Sequence, residues 1–271
     1  ILGGADIFRS FSLHSCGHCR VRAKNLTSYP VTGRIFLTTS CYPVTHEGWF
    51  SCSDPGLTKV YELCKWTLRI CRQTLHLDSP RHQELLACTG DYFIEAMMTA
   101  FTFGDMRLAA LDVRRTALWL VCNNGVMFHT SYSLIWVQML RQVWLFTGDD
   151  GLLEDCAPAL EILLNRFSSY IGENGVIDHP PDYMFVDWLV TEGYSMHHPP
   201  KSLGQTVLNA FYYKALIDGA AIFRQLGRPN AEHWQRTAAA LKDAFNTLFY
   251  DPQEGLYKDG LPDPVPESKW Q

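Results

Sequence analysis

Phe103-Gly104-Asp105, Thr147-Gly148-Asp149 and Leu226-Gly227-Arg228-Pro229 are three short glycine-centred breaks, each set between two stretches of helical apolar rhythm. A glycine just past a helix takes the left-handed backbone that closes the last turn, so each break reads as a tight helix-to-helix turn. The helix after each break ends in a longer connection, carrying Asn123-Asn124-Gly125-Val126, Glu173-Asn174-Gly175-Val176 or Gln253-Glu254-Gly255-Leu256. Short and long connections thus alternate along a repeated helical hairpin. Stacked hairpins of this kind put the short turns on one face and the long loops on the other, and close into a solenoid or a toroid. The periodicity predicts helices near residues 55–73, 89–103, 106–122, 131–147, 150–170, 202–226 and 230–249.

Upstream the texture differs. At Cys52-Ser53-Asp54-Pro55, Ser53 or Asp54 suits an N-cap and Pro55 the first turn, and the apolar rhythm Leu57, Val60, Tyr61, Cys64, Leu68, Cys71 follows. From Arg9 to Ser53 the pattern alternates, as in Cys19-Arg20-Val21-Arg22-Ala23 and Val31-Thr32-Gly33-Arg34-Ile35-Phe36-Leu37. Three or four strands do not make a sandwich alone. The fold class read from this is mainly α: helical hairpins over residues 54–271, preceded over 1–53 by the closing strands of a β-sandwich domain.

Composition narrows the function. Hydrophobic residues make up 47% and charged ones 19%, with a formal net charge of -5, as in an ordinary globular protein. Lys and Arg are scattered and outnumbered by acids, which speaks against a nucleic-acid partner. No apolar stretch reaches the roughly 18 residues of a membrane span. Eight Trp and twelve Tyr are generous, and sugars stack their C–H faces on such rings. Nine Cys is an odd count, and Cys64, Cys71 and Cys122 sit in apolar helical patterns, which points to a reducing, cytoplasmic setting. Ile1 to Ala5 carry no signal-peptide pattern, and the missing Met suggests that Ile1 is not the natural start. His14, Cys16, His18 and Cys19 resemble half a zinc site, but no second pair follows at ligand spacing, so no metal is expected there. Walker, Gly-x-Ser-x-Gly and His-Glu-x-x-His motifs are absent from the sequence.

The long loops hold most of the unusual chemistry: Asp78, His82, Glu84, His129, Asp178, His179, Asp182, Asp187, Trp188, Glu192, His197 and His198. Functional groups concentrate on loops held by a rigid scaffold, although loops are also simply polar. One block stands out, Leu77-Asp78-Ser79-Pro80-Arg81-His82-Gln83-Glu84-Leu85-Leu86-Ala87-Cys88-Thr89-Gly90-Asp91. Glycoside hydrolysis needs one carboxyl held protonated at the leaving oxygen and a second carboxylate across the sugar. Glu84, beside Leu85, Leu86 and Ala87, would be partly desolvated, which raises a carboxyl pKa and makes it the general-acid candidate. Asp78 and Asp91 would bind sugar hydroxyls; equally, Asp78 suits an N-cap and Asp91 a first-turn dipole partner. Trp136 and Trp188 are candidates for stacking on a sugar, and His129 and His198 for hydrogen bonds to its hydroxyls, although each suits a structural role as well.

The block resembles the signature of the family 78 glycoside hydrolases, the bacterial α-L-rhamnosidases: Asp-Cys-Pro, a stretch with Arg and an acidic pair, then Trp-Thr-Gly-Asp. Asp78, Pro80, Glu84, Thr89, Gly90 and Asp91 match it, while Ser79, His82 and Cys88 replace the usual Cys, Arg and Trp. Val186-Asp187-Trp188-Leu189 is similar to a Gly-Asp-Trp stretch whose Asp and Trp line the family's pocket. The resemblance implies a partial (α/α)6 toroid and a carbohydrate substrate, with removal of terminal α-L-rhamnose by inversion and no redox or organic cofactor. It implies Glu84 as general acid, Asp78 and Asp91 as substrate-binding carboxylates, and His82 and Asp187 in the pocket. The family's general base is a glutamate in the second half of the toroid, so it is expected beyond residue 271 and the isolated chain is expected to be inactive. Two other readings stay open: a toroid glycosidase of different sugar preference, and a non-catalytic carbohydrate-binding or scaffold protein.

Overall fold

The computed structural model describes residues 7, 9, 18, 20–22, 33–79, 88–178, 180–181, 185, 189–191, 194–196 and 205–261. Seven helices dominate: α1 (Pro55–Cys71), α2 (Thr89–Thr102), α3 (Arg107–Cys122), α4 (Thr130–Thr147), α5 (Asp150–Ser168), α6 (Gln205–Gln225) and α7 (Ala231–Phe249). Two antiparallel ribbons accompany them, β1 (Leu189–Thr191) with β2 (Tyr194–Met196), and β3 (Tyr250–Asp251) with β4 (Leu256–Tyr257). Each helix falls where the apolar rhythm predicts it. Residues 33–53 carry no strand. A strand needs a neighbour to hydrogen-bond, and most of the stretch read as strand-like before residue 33 lies outside the described residues. Residues 33–53 dock on the helices through Tyr42 N–H to Arg72 C=O and Gly48 N–H to Thr102 C=O, both 2.6 Å.

The hairpins are α2/α3, α4/α5 and α6/α7. Their turns close on Gly104, Gly148 and Gly227, with φ of 64°, 65° and 65°. At such angles most other L-residues bring Cβ against the following carbonyl, so glycine is strongly favoured for a tight stop. Each turn captures carbonyls of the helix it ends: Gly104 N–H bonds Thr99 C=O at 3.0 Å, Gly148 N–H bonds Trp144 C=O at 2.7 Å, and Arg228 N–H bonds Phe223 C=O at 2.8 Å. Asp149 caps α5 by accepting from Leu152 N–H at 3.2 Å, and Asp54 caps α1 by accepting from Gly56 N–H at 2.7 Å.

α2, α4 and α6 pack side by side in one layer, α3 packs on α5 behind them, and α7 backs α6. α4 is the centre. Leu134, Trp136, Val137, Leu140 and Val143 are wholly buried, and the helix packs against α2, α3, α5 and α6. Each such side chain contributes about 1.5–3 kcal/mol of burial, which holds the hairpins together without help from regular sheet. Trp136 donates Nε1–H to Val113 C=O at 3.0 Å, pinning α4 to α3.

The N-terminal ends of α2, α4 and α6 share one face. Thr89 Oγ1 lies 3.3 Å from Met127 Sδ, Ser131 Oγ donates to Phe185 C=O at 2.6 Å, and Asn209 brackets Ile177 at 2.9 and 2.7 Å. At the next connection, Thr206 Oγ1 donates to Lys258 C=O at 2.6 Å. The second, third and fourth long loops therefore meet over these helix ends, as the alternation predicts. The first behaves differently. It begins beside the α2/α3 turn, where Arg72 is 3.7 Å from Asp105, and its far end leads into α2 on the long-loop face; its middle lies outside the described residues.

Candidate active site

The site is built on the first two turns of α2. Asp91 stands in the first turn, half-buried, where the free N–H groups of a helix favour an acid. Tyr132, in the first turn of α4, donates its hydroxyl to Asp91 Oδ2 at 3.2 Å. The approach is possible because residue 90 is glycine: a Cβ there would lie 2.6 Å from the Tyr132 ring. The Tyr132 ring in turn meets His129, with centroids 5.0 Å apart, and His129 stacks on Phe185 at 4.1 Å. Asp91, Tyr132, His129 and Phe185 thus form a continuous polar-to-aromatic wall across two helix ends and a loop.

Asp78 is exposed and enters from the first long loop, which is held just before it. His76, wholly buried, places Nδ1 2.6 Å from Asp112 Oδ2 on α3 and Nε2 3.5 Å from Thr99 on α2. Leu77 N–H bonds back to Cys71 C=O at 2.9 Å. Burial drives the Asp112 carboxyl up from its ordinary range, and hydrogen bonding to His76 opposes that. Asp78 therefore hangs from a sealed polar anchor, and it caps none of the described helices: the residue before α2 is Cys88.

Close enough to feel the charges of both Asp78 and Asp91 is a carboxyl that sequence reasoning passed over. Glu95, one turn beyond Asp91 on α2, is 7% exposed. Burial first, then the charges of Asp91, Asp112 and Asp78, push it up to about 9. The signal was the Asp91-to-Glu95 spacing of four, which puts two acids on one side of a helix.

Of the expected site residues, the structure brings Asp78, Asp91 and His129 to this region. It removes Trp136. That ring is wholly buried among core side chains with its N–H on Val113, so it holds the hairpins and offers no face to a sugar. Glu84, His82, Asp187, Trp188 and His198 lie outside the described residues, as do Cys16 and Cys19. Phe185, which precedes the Val186-Asp187-Trp188 stretch, is fixed by Ser131 and His129. Among the described residues no group of three or more His, Cys, Asp or Glu is placed to hold a metal ion. Seven described cysteines are in no disulfide; Cys71, Cys88 and Cys156 are buried, whereas Cys64 and Cys122, which sit in apolar helical patterns, are exposed. No described helix is long and apolar enough to cross a membrane.

Residues 45–262 match the family described as the bacterial alpha-L-rhamnosidase 6 hairpin glycosidase domain, and the chain belongs to that family. Two similar curated proteins are both named alpha-L-rhamnosidase. One, from Formosa agariphila, is 25% identical over 264 residues, covering 88% of this chain and 27% of its own length. The other, from Alteromonas sp. (strain LOR), is 21% identical over 277 residues, covering 94% of this chain and 29% of its own length. The chain therefore spans under a third of either relative.

Among solved structures, the fold is similar to the GH78 family rhamnosidase of Bacillus sp. GL1, with a TM-score of 0.67 at 20% identity over 81% of this chain and 23% of that one. It is also similar to a rhamnosidase from Klebsiella oxytoca with rhamnose bound, with a TM-score of 0.59 at 20% identity over 80% of this chain and 42% of that one. A Streptomyces avermitilis alpha-L-rhamnosidase complexed with L-rhamnose gives 0.58 at 19% identity, over 77% of this chain and 20% of that one.

Proposed function

We propose that this chain forms the acid-bearing part of an inverting α-L-rhamnosidase. The observation that carries the reading is the carboxylate face at the N-terminal end of α2, where Asp78 and Asp91 flank the loop that holds Glu84 and Tyr132 fixes Asp91 from the neighbouring helix. Hydroxyl-rich ligands are held by such pairs, because a carboxylate oxygen accepts from two hydroxyls at once. In this reading Glu84 protonates the departing glycosidic oxygen, Asp78 and Asp91 bind the sugar, and His82, His129, Asp187, Trp188 and His198 complete the wall.

Inversion needs a second carboxylate about 6.5–9.5 Å from the acid, with room for a water between. We place that base on polypeptide beyond residue 271, in further hairpins that close the toroid. The share of the relatives covered by this chain supports this. The same proposal includes a β domain upstream of α1, which Asp54 caps. The free thiols support a reducing, cytoplasmic setting. A toroid glycosidase of different sugar preference is favoured by one feature: Cys88, where the family signature has Trp, presents no ring at the residue before α2. Release of sugar from a panel of nitrophenyl glycosides by the full-length protein separates the two. Preferential cleavage of the α-L-rhamnoside supports the first, and preference for another sugar supports the second.

A further inference from the structure

Glu95 Oε2 is sealed from solvent and has no hydrogen-bond partner among the described residues, and no described Lys, Arg or His forms an ion pair with Glu95. Acids act on it from three elements: Asp91 on α2 itself, Asp112 on α3 and Asp78 on the first long loop. Among the described residues the remaining titratable neighbours that act on this cluster are already engaged. His76 is engaged by Asp112, and the Tyr132 hydroxyl on α4 by Asp91. The Cys71 thiol at the end of α1 is pushed up to about 12 by burial and then by Glu95 and Asp78. A buried carboxylate with no counter-charge is costly, and the usual outcome is that the group keeps its proton. Apolar residues fill such helix positions at lower cost, and strongly perturbed acids cluster where function uses them.

We propose that Glu95 is a positioning residue of the sugar site: it sits as a neutral acid beneath Asp78 and Asp91, and loss of its proton drives those two carboxylates out of register and releases the sugar. The inference rests on the rhamnoside reading of the same site. Glu95 acts through Asp91 and Asp78, because the residue is only 7% exposed and its Oε2 is closed to solvent. At neutral pH the pair faces an uncharged neighbour. At alkaline pH a third negative charge arises one helical turn from Asp91, and like charges at that spacing repel.

Two measurements test it. Carbon-detected titration of the glutamate carboxyls in this chain, with Glu95→Gln to identify the resonance, should give a midpoint near 9. A midpoint in the ordinary carboxylate range overturns the proposal. Affinity of the full-length protein for L-rhamnose, measured from pH 6 to 10, should fall at least about tenfold between pH 7 and 10, whereas Glu95→Gln should bind as wild type does at pH 7 and lose little by pH 10. Glu95→Leu, the second variant, should show the same flat profile. An equal alkaline loss in the variants, or a flat wild-type profile, overturns the linkage. Wild-type protein that binds no L-rhamnose at pH 7 overturns the rhamnoside reading and the linkage with it, a result distinct from active binding that the variants leave unchanged.

Discussion

The Tyr132 hydroxyl donates to Asp91 Oδ2 at 3.2 Å across the N-terminal ends of α4 and α2, and Gly90 leaves the space in which the ring lies. Tyr132→Phe removes one hydrogen bond to a charged group, worth about 1.5–3 kcal/mol. We expect it to weaken sugar binding at least several-fold in the full-length protein and to lower Tm by several degrees, as calorimetry and thermal melts would show. Gly90→Ala forces the ring aside and should cost about 1–3 kcal/mol of stability as well as binding. Unchanged binding in both variants would remove Asp91 from the sugar site.

Glu95 also makes a prediction about stability. Its folded value of about 9 lies above the ordinary 4.5, so the folded state binds more protons than the unfolded chain between those values. The group's favourable contribution is complete below pH 4.5 and is lost as pH rises through 9, at about 1.4 kcal/mol per unit. Glu95→Gln cannot ionise, so its Tm should exceed that of wild type by a margin that widens from pH 5 to pH 9. A margin that is constant or shrinks over that window would show that Glu95 is ionised in the folded protein.

The His76–Asp112 pair anchors the loop that carries Asp78. Asp112→Ala strands a buried imidazole N–H that has lost its acceptor, at a cost of about 1–3 kcal/mol. Because the anchor precedes Asp78 by two residues, L-rhamnose affinity should fall with it. Chemical denaturation and binding measured on one preparation check both effects. Lost stability with intact affinity would mean that Asp78 is placed by something else.

Trp136→Phe should behave oppositely. The ring is in the core and its N–H bonds Val113, so the substitution should lower stability by about 1–3 kcal/mol and leave sugar affinity unchanged. A selective loss of affinity would restore Trp136 to the site.

The helices were legible because their punctuation is local. Gly104, Gly148 and Gly227 are strongly favoured by the left-handed turn itself, and Asp54 and Asp149 cap the helices that follow them directly. Asp91 was legible because it belongs to a contiguous motif. Trp136 was misread because a single Trp in an apolar helix carries no mark of which side meets solvent, and its ring proved wholly buried. Tyr132 and the His76–Asp112 pair were invisible for another reason: their partners lie 41 and 36 residues away, a distance that only the packing of hairpins closes. Glu95 was written in the helix spacing, but its burial depends on α3 and the first loop.

The central claim is that Glu84 protonates the departing sugar oxygen, and its most direct test compares two substrates in the full-length protein. Glu84→Gln keeps the shape and cannot donate a proton. The kcat/KM for a rhamnose disaccharide, whose alkoxide needs that proton, should fall by about 10² to 10⁴. For the nitrophenyl rhamnoside, whose leaving group departs with little help, it should fall far less. An equal fall for both substrates, or no fall for either, would contradict the assignment and leave Glu84 a binding or structural residue.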